Sequence, residues 1–401
     1  MREHRLEVAD VFRQYGEAFL KRWGHTVSPQ QRKALRDIGA CRTAALGGHL
    51  EQCDGCPHEV MAYNSCRNRS CPKCQSTTRD RWLAERAKEL LPVPYCHVVF
   101  TVPESLAMLI LQNAQLVYSL LFRAVSQTLL EIAADPKHLG AQIGFLAVMH
   151  SWSQNLLHHP HIHCVVPAGG LAPDGSRWIP CRRKFFLPVR VLSRLFRGKF
   201  LALLRDAFTR GKLQFHGKLT PLQAPARFHA FLRPLQDTEW VVYAKPPFGG
   251  PEYVLKYLAR YTHRVAISNG RLLRLENGQV TFQWRDSKDN NQIKAMTLDA
   301  VEFIRRFLLH ILPPGFVKIR HFGFLSNRRR AAALAGCREL LPQPVAPSDS
   351  APILSERQQS AVERRCPVCK TGKLHTRRWF SAAELLVRVD SAKPACPVDS
   401  S

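Results

Sequence analysis

The chain has 401 residues, which excludes a small stapled module and allows two or three domains, since one hydrophobic core rarely grows past ~250 residues. Lys and Arg number 58 against 31 Asp and Glu, a net charge of +27, so the expected partner is an anionic polymer, nucleic acid first and an acidic membrane surface second. The N-terminal MREHRLEVADVFRQYG is charged throughout, and the most apolar stretch, 105–122, is interrupted by Gln112, Asn113 and Gln115, so neither a secretory leader nor a spanning helix is expected and the protein is expected in the cytoplasm.

Most of the 13 cysteines are bunched at metal-type spacings, which fits a reducing compartment better than a disulfide framework. The first group is CDGCPHEVMAYNSCRNRSCPKC, 53–74. Two CxxC knuckles separated by roughly 12–20 residues are a common four-thiolate zinc arrangement, because each tight turn aims two sulfurs at one tetrahedral centre. Cys53, Cys56, Cys71 and Cys74 are therefore the expected structural Zn2+ ligands. Cys66, Cys41 and His49 leave the set open, as they do a second zinc. Arg67, Arg69 and Lys73 inside the group are expected to face a phosphate backbone.

YCHVVFTV, 95–102, is β-branched and aromatic between Pro94 and Pro103 and reads as a strand. Glu104 to Ala134 follows with helical spacing and ends before Asp135-Pro136. GFLAVMHSW, 144–152, and HPHIHCVVPAGG, 159–170, read as two further strands, and the short polar link between them predicts an antiparallel hairpin. Successive side chains on a strand alternate faces, so His161 and His163 point the same way with Ile162 buried behind them. Two imidazoles aimed at one point suit a divalent ion with positions left open for phosphate oxygen or water. For the third ligand the nearest candidate is His150 on the partner strand, with Gln154 and His159 as alternatives.

From Cys181 to Arg274 the chain carries 19 Lys and Arg against Asp206, Asp237, Glu239 and Glu252, so more than half of the net charge lies in under a quarter of the length. Within this stretch EYVLKYLARYTHRVAI spaces Tyr253, Tyr257 and Tyr261 four apart, hence on one helical face, among Lys256, Arg260, His263 and Arg264. A phenol with a pKa near ~10 is a usable nucleophile only where cations stabilise phenolate and phosphate charge. Tyr243, Phe248, Phe282 and Trp284 read as core residues, with base stacking as their alternative role. Further on, PQPVAPSDSAP, 342–352, reads as a linker, and Cys366-Pro-Val-Cys369 resembles half a zinc ribbon. Its other half is not evident: Cys337 and Cys396 stand outside any CxxC pair, and metal binding by Cys366 and Cys369 stays open.

HPHIHCVVPAGG resembles the His-hydrophobic-His metal motif of the HUH nucleases, and YLARYTHR resembles the paired-tyrosine motif of their rolling-circle transposases, the insertion-sequence ninety-one type. CRTAALGGHLEQCDGC with SCRNRSCPKCQ is similar to that family's zinc-binding domain, YCHVVFTVPESL to its first strand, and IRHFGFLSNRRR to its late basic segment. The resemblance runs from about Ala9 to Arg330. Ser70 departs from it, standing where a histidine is expected beside the knuckle.

The resemblance implies a DNA transposase. His161, His163 and His150 would hold Mg2+ or Mn2+ against the scissile phosphate. Tyr257 would attack to leave a 5′-phosphotyrosine and a free 3′-OH, and Tyr261 would serve a second strand. The expected fold is α+β, with a central antiparallel sheet, the histidines on its middle strand and the tyrosine helix laid across them. Expected domains are a helical and zinc-binding unit at 1–90, the nuclease domain at 91–335, and a linker with a partial zinc ribbon at 336–401. DNA contacts are expected from Lys256, Arg260, Arg264, Arg328, Arg329 and Arg330 as well as the knuckle cations. The substrate is expected to be single-stranded or hairpin ends of a mobile element, met in the nucleoid, with a homo-oligomer left open. Two rivals are a replication initiator or relaxase with the same chemistry, and a zinc-bearing DNA-binding protein without catalysis.

Overall fold

The structure is a computed structural model that describes residues 5–182, 186–248, 254, 265–286, 289–342 and 365–391. Tyr253, Tyr257 and Tyr261, with Lys256, Arg260, His263 and Arg264, lie outside the described residues.

At the centre is a five-stranded antiparallel sheet. It is built from β3 (Tyr95–Thr101), β4 (Gly144–Trp152), β5 (His158–Pro167), β8 (Val242–Phe248) and β12 (Ile319–Gly323), in the order β12-β4-β5-β3-β8. The α+β class, the β4–β5 hairpin and the place of the histidine strand in the middle are as expected from the sequence. β4 is buried from Gly144 to Ser151, as its nearly unbroken apolar run requires of a strand covered on both faces.

One face carries Cys96, Val98, Phe100, Ala147, Met149, Ile162, Cys164 and Val166. It is sealed by α4 (Ala107–Gln112), α5 (Ala114–Ala134), α6 (Val189–Thr209) and α7 (Pro225–Asp237). α5 is long and apolar enough to cross a membrane by length and composition, yet 61% of its apolar window is buried inside the protein, as for a core helix.

The helix expected over Glu104 to Ala134 is broken at Asn113. Its side-chain amide donates to the carbonyls of Leu109 at 3.1 Å and Gln214 at 2.9 Å, and its side-chain oxygen accepts the Gln214 N–H at 2.7 Å. A side chain that serves as backbone partner for a distant strand of chain competes with the helix ladder, so the helix restarts at Ala114. The run after His159 likewise ends at Pro167 and resumes as β6 (Gly169–Leu171), paired with β7 (Trp178–Pro180). Gly169 sits at φ +151°, and a Cβ there would lie 2.5 Å from the Ile179 carbonyl oxygen, so the turn admits no side chain.

A second core joins α1 (Val8–Trp23) and α2 (Pro29–Gly39) to the antiparallel sheet of β9 (Leu272–Glu276), β10 (Gln279–Asp286) and β11 (Gln292–Asp299) and to α8 (Ala300–Leu308). Phe282, fully buried, packs edge-on to Phe303 there, and Trp284 is partly buried against the same core. Both are packing residues. Tyr243 is 50% exposed and keeps the stacking alternative open.

Residues 365–391 do not form a separate tail. β13 (Leu374–Phe380) is the third strand of a sheet with β1 (Gly48–Cys53) and β2 (Glu59–Tyr63), in the order β13-β1-β2. The division at 336 is corrected accordingly: this C-terminal strand belongs to the N-terminal unit, with α10 (Ala382–Ser391) beside it, while α3 (Pro72–Ala87) leads from that unit toward β3 and α9 (Arg330–Leu340) follows β12.

Candidate active site and metal centres

The second face of the central sheet carries the histidines. β4 and β5 pair with His150 opposite His161 and Val148 opposite His163, so these side chains share one face and Ile162 points into the opposite core. Ligand nitrogens of His150, His161 and His163 lie within 4.8 Å of one another, and the rings meet at centroid distances of 5.4, 4.5 and 4.8 Å. Among the described residues this is the histidine group able to hold an ion. Of the alternatives for the third ligand, His159 is not part of it, and Gln154 accepts a hydrogen bond from Arg271 through its main-chain oxygen.

The rings are held as ligands require. His161 Nδ1 donates to the main-chain carbonyl of His159 at 2.7 Å, which fixes the proton on Nδ1 and leaves the Nε2 lone pair for a metal. His163 Nδ1 is bonded to His97 Nε2 at 2.9 Å, with the two rings stacked 6° from parallel. Burial pushes His161 down to about 4 and His97 down to about 3, with Lys245 next as a cause for His97. His161 is therefore neutral near pH 7, as a ligand must be. The donor set fits an ion at bonds of roughly 2.1 Å.

Two neighbours of the triad were not among the expected site residues. His97 on β3 lies diagonally across from His163, since Val99 is the direct partner. Trp152, two residues beyond His150, stacks on His150 with centroids 4.5 Å apart. Lys318 Nζ sits 5.0 Å from the centre of that indole, pulled down to about 7 by loss of water with Arg69 adding repulsion. Trp152, Lys318, His310 and Arg69 border a cavity of about 280 Å³. The periodicity-of-two rule, applied outward from His161 and His163 onto both partner strands, was the signal that would have found His97 and Trp152.

The cysteines gather differently from the expected single set. Cys71 and Cys74 come together with Cys41 and Cys66, whereas Cys53 and Cys56 come together with Cys366 and Cys369. The expected four-thiolate set is thus split across two centres. Ser70 causes no vacancy, because Cys41 makes up the first group of four. His49 belongs to neither group: it bonds Glu51 at 3.1 Å and lies against Trp379. In the first group the hydrogen bond from Cys66, ahead of that from Cys71, pulls Cys41 down to about 2, while hydrogen bonds to Cys41 push Cys66 up to about 12 and Cys71 higher still. Four thiols so close cannot all ionise without a cation among them, and a divalent ion removes the conflict.

The expected phosphate contacts divide as well. Arg69 donates to the carbonyls of Phe316 at 2.8 Å and Pro313 at 2.9 Å, and Lys73 pairs with Glu7 at 2.7 Å. Both tie the chain to itself. Arg330 pairs with Glu89 at 3.2 Å, while Arg67, Arg328 and Arg329 are exposed.

Three imidazoles converging on one face of an antiparallel sheet, in a basic chain that also gathers two groups of four cysteines, give the donor sets of candidate metal centres in a protein whose charge suits nucleic acid. Comparison with known proteins narrows this. A family model described as "Putative transposase" matches residues 144–332 and one described as "Transposase zinc-binding domain" matches 11–102. The "Putative transposase y4qJ" of Sinorhizobium fredii is 56% identical over 381 residues, covering 93% of this chain and 95% of that protein. The "Transposase for insertion sequence element IS801" of Pseudomonas savastanoi pv. phaseolicola is 27% identical over 320 residues, covering 76% and 74%. Among solved structures, the conjugative relaxase TrwC in complex with oriT DNA matches 61% of this chain and 72% of that chain at 15% identity, with a TM-score of 0.24. The chain belongs to the insertion-sequence ninety-one family of transposases with an N-terminal zinc-binding domain. It is a DNA transposase.

Proposed function

We propose that this transposase cleaves and rejoins single DNA strands through a 5′-phosphotyrosine, with Tyr257 as first nucleophile and Tyr261 as second. The Tyr257 oxygen forms a bond to phosphorus as the bond to the 3′-oxygen breaks; the phenol loses a proton and the departing 3′-oxygen gains one. Attack by a 3′-OH on the tyrosyl phosphate reverses the step and restores the phenol, so the phosphodiester energy is conserved. When bound, Mg2+ or Mn2+ supplies positive charge to the phosphate oxygens. His150, His161 and His163 fix its position, with His161 oriented by the His159 carbonyl and His163 by His97. Tyr261, four residues on from Tyr257, serves the second strand of a rolling-circle exchange.

The observation that carries this reading concerns Val254. It is helical and fully buried and lines a cavity with Leu146, Val165 and Tyr95. Val165 is two residues beyond His163 on β5, and Leu146 is its partner on β4, so Val254 packs on the histidine face of the sheet. Tyr257 follows Val254 by three residues in the sequence, and this proximity supports its assignment to the imidazole face in the present reading. Tyr243 and Lys245, partners of Val99 and His97 on β8, flank the same face and suit a stacked base and a phosphate.

The substrate in this reading is single-stranded or hairpin DNA at the ends of a mobile element, met in the nucleoid of the cytoplasm. Incubation with labelled single-stranded end oligonucleotide and Mn2+, followed by denaturing electrophoresis, should give a covalent adduct that His161→Ala and Tyr257→Phe both abolish. An adduct that persists in Tyr257→Phe and maps elsewhere would overturn the assignment of nucleophile. No adduct with cognate ends would leave a DNA-binding protein without strand transfer.

A further inference from the structure

We infer that Cys53, Cys56, Cys366 and Cys369 form a second structural zinc site, one that fastens the C-terminal segment onto the N-terminal unit and is independent of the Cys41/Cys66/Cys71/Cys74 centre. Cys366 and Cys369 lie outside both matched ranges of the family models.

The sulfur geometry comes first. Cys53 Sγ and Cys369 Sγ are 3.6 Å apart, as are Cys56 Sγ and Cys366 Sγ, and all four lie within 4.8 Å of one another. A disulfide needs about 2.05 Å. Four thiolates at about 2.3 Å from one tetrahedral ion stand roughly 3.8 Å apart along each edge, close to the distances found.

The backbone around the sulfurs is arranged to accept them as thiolates. Gly55 N–H points at Cys53 Sγ and Gly372 N–H at Cys369 Sγ, each at 3.3 Å. Backbone donors of this kind favour the charged form that a metal requires. The C-terminal knuckle is closed by Lys370 N–H to the Cys366 carbonyl at 3.0 Å and Cys366 N–H to the Gly372 carbonyl at 2.7 Å, with Lys370 at φ +62°. A Cβ on Gly372 would lie 2.4 Å from Cys53 Sγ, so the close approach of the two knuckles depends on a glycine at that position.

The two ends are also brought together independently of the sulfurs. Cys53 pairs with Leu374 and the ladder continues to Gly48 with Phe380. Asp54 accepts the Lys373 N–H at 2.7 Å and lies 3.2 Å from His375, while its own N–H reaches the Lys373 carbonyl at 3.1 Å. Yet β13 is exposed from His375 to Trp379. A strand with so little buried apolar surface gains little from packing alone, and a bound ion supplies what the core does not.

The test is the zinc content and thiol reactivity of the full-length chain. Cys366→Ser/Cys369→Ser should hold one zinc per chain fewer than the unaltered protein. In it, Cys53 and Cys56 should become open to alkylation while Cys41, Cys66, Cys71 and Cys74 stay protected, as read by peptide mass spectrometry. Unchanged zinc content, or continued protection of Cys53 and Cys56, would overturn the site. Should the variant not fold, stepwise chelation of the unaltered protein serves instead. Cys53 and Cys56 should lose protection together with Cys366 and Cys369; loss in step with Cys71 and Cys74 would restore the single-site arrangement.

Discussion

His97 Nε2 and His163 Nδ1 share a hydrogen bond of 2.9 Å across the β3–β5 pair. His163 therefore has its Nδ1 engaged and its Nε2 left for the ion, so His97 acts as a positioning residue behind the centre. Outer partners of this kind typically alter metal affinity ~10–100-fold. His97→Ala should weaken Mn2+ binding by that range in a calorimetric or spin-resonance titration, with adduct formation recovering at saturating Mn2+. A loss that excess metal does not restore would remove His97 from this role.

The identity of the third ligand makes a second prediction, because residue 159 contributes its main-chain carbonyl, which bonds His161 at 2.7 Å, whereas His150 contributes its ring. His150→Ala should abolish Mn2+ binding at concentrations that saturate the unaltered protein. His159→Ala keeps the carbonyl and should hold Mn2+ within a few-fold. The reverse pattern would shift the centre by one strand position.

Three of the five strands of the central sheet, β3, β4 and β5, were legible because their borders are local, whereas β8 and β12, which carry no such borders, were not read as strands. Prolines bracket 95–102, and an apolar run followed by spaced histidines marks the hairpin. The convergence of His161, His163 and His150 followed from strand periodicity plus one pairing register. The grouping of the cysteines was not legible, since one CxxC knuckle looks like another and the partner of Cys53-x2-Cys56 lies some 310 residues away in Cys366-x2-Cys369. The partners of Arg69 were not legible for a related reason: nothing local marks a guanidinium among knuckle cations as the donor to the Pro313 and Phe316 carbonyls, 244 and 247 residues away. Asn113 looks like an ordinary polar position in a helix until Gln214 reaches it.

Buried histidines outside the metal centre set an acid limit to stability. His158 bonds the Tyr118 hydroxyl at 2.9 Å, and His310 lies 3.3 Å from Ser151 Oγ and 3.1 Å from the Leu156 carbonyl. Burial pushes them down to about 3 and about 4 respectively. Above the unfolded value near ~6.5 both states are neutral and nothing changes with pH. As pH falls below that value the unfolded chain binds protons that the folded chain refuses, so stability drops until the folded values are reached. By pH 5 the loss should approach ~2 kcal/mol per histidine. Thermal melts from pH 7.5 to 5 should show a falling Tm, and His158→Gln with His310→Gln should flatten the slope even if the plateau is lower. A slope unchanged in the double variant would place the acid sensitivity elsewhere.

Arginines that look alike in the sequence should separate in their salt dependence. Arg328 and Arg329 are exposed at the start of α9, while Arg69 has its guanidinium committed to the Pro313 and Phe316 carbonyls. Each phosphate neutralised contributes about 0.7 to the slope of log affinity against log salt for single strands. Arg328→Ala and Arg329→Ala should each lower that slope by about this amount in anisotropy titrations with a single-stranded oligonucleotide, with melting temperature little changed. Arg69→Ala removes two partly solvated hydrogen bonds from a charged donor and should cost ~1–2 kcal/mol of stability while leaving the slope intact. A changed slope with unchanged Tm in Arg69→Ala would return that residue to the DNA face, and an unchanged slope in both exposed variants would move the interface away from α9.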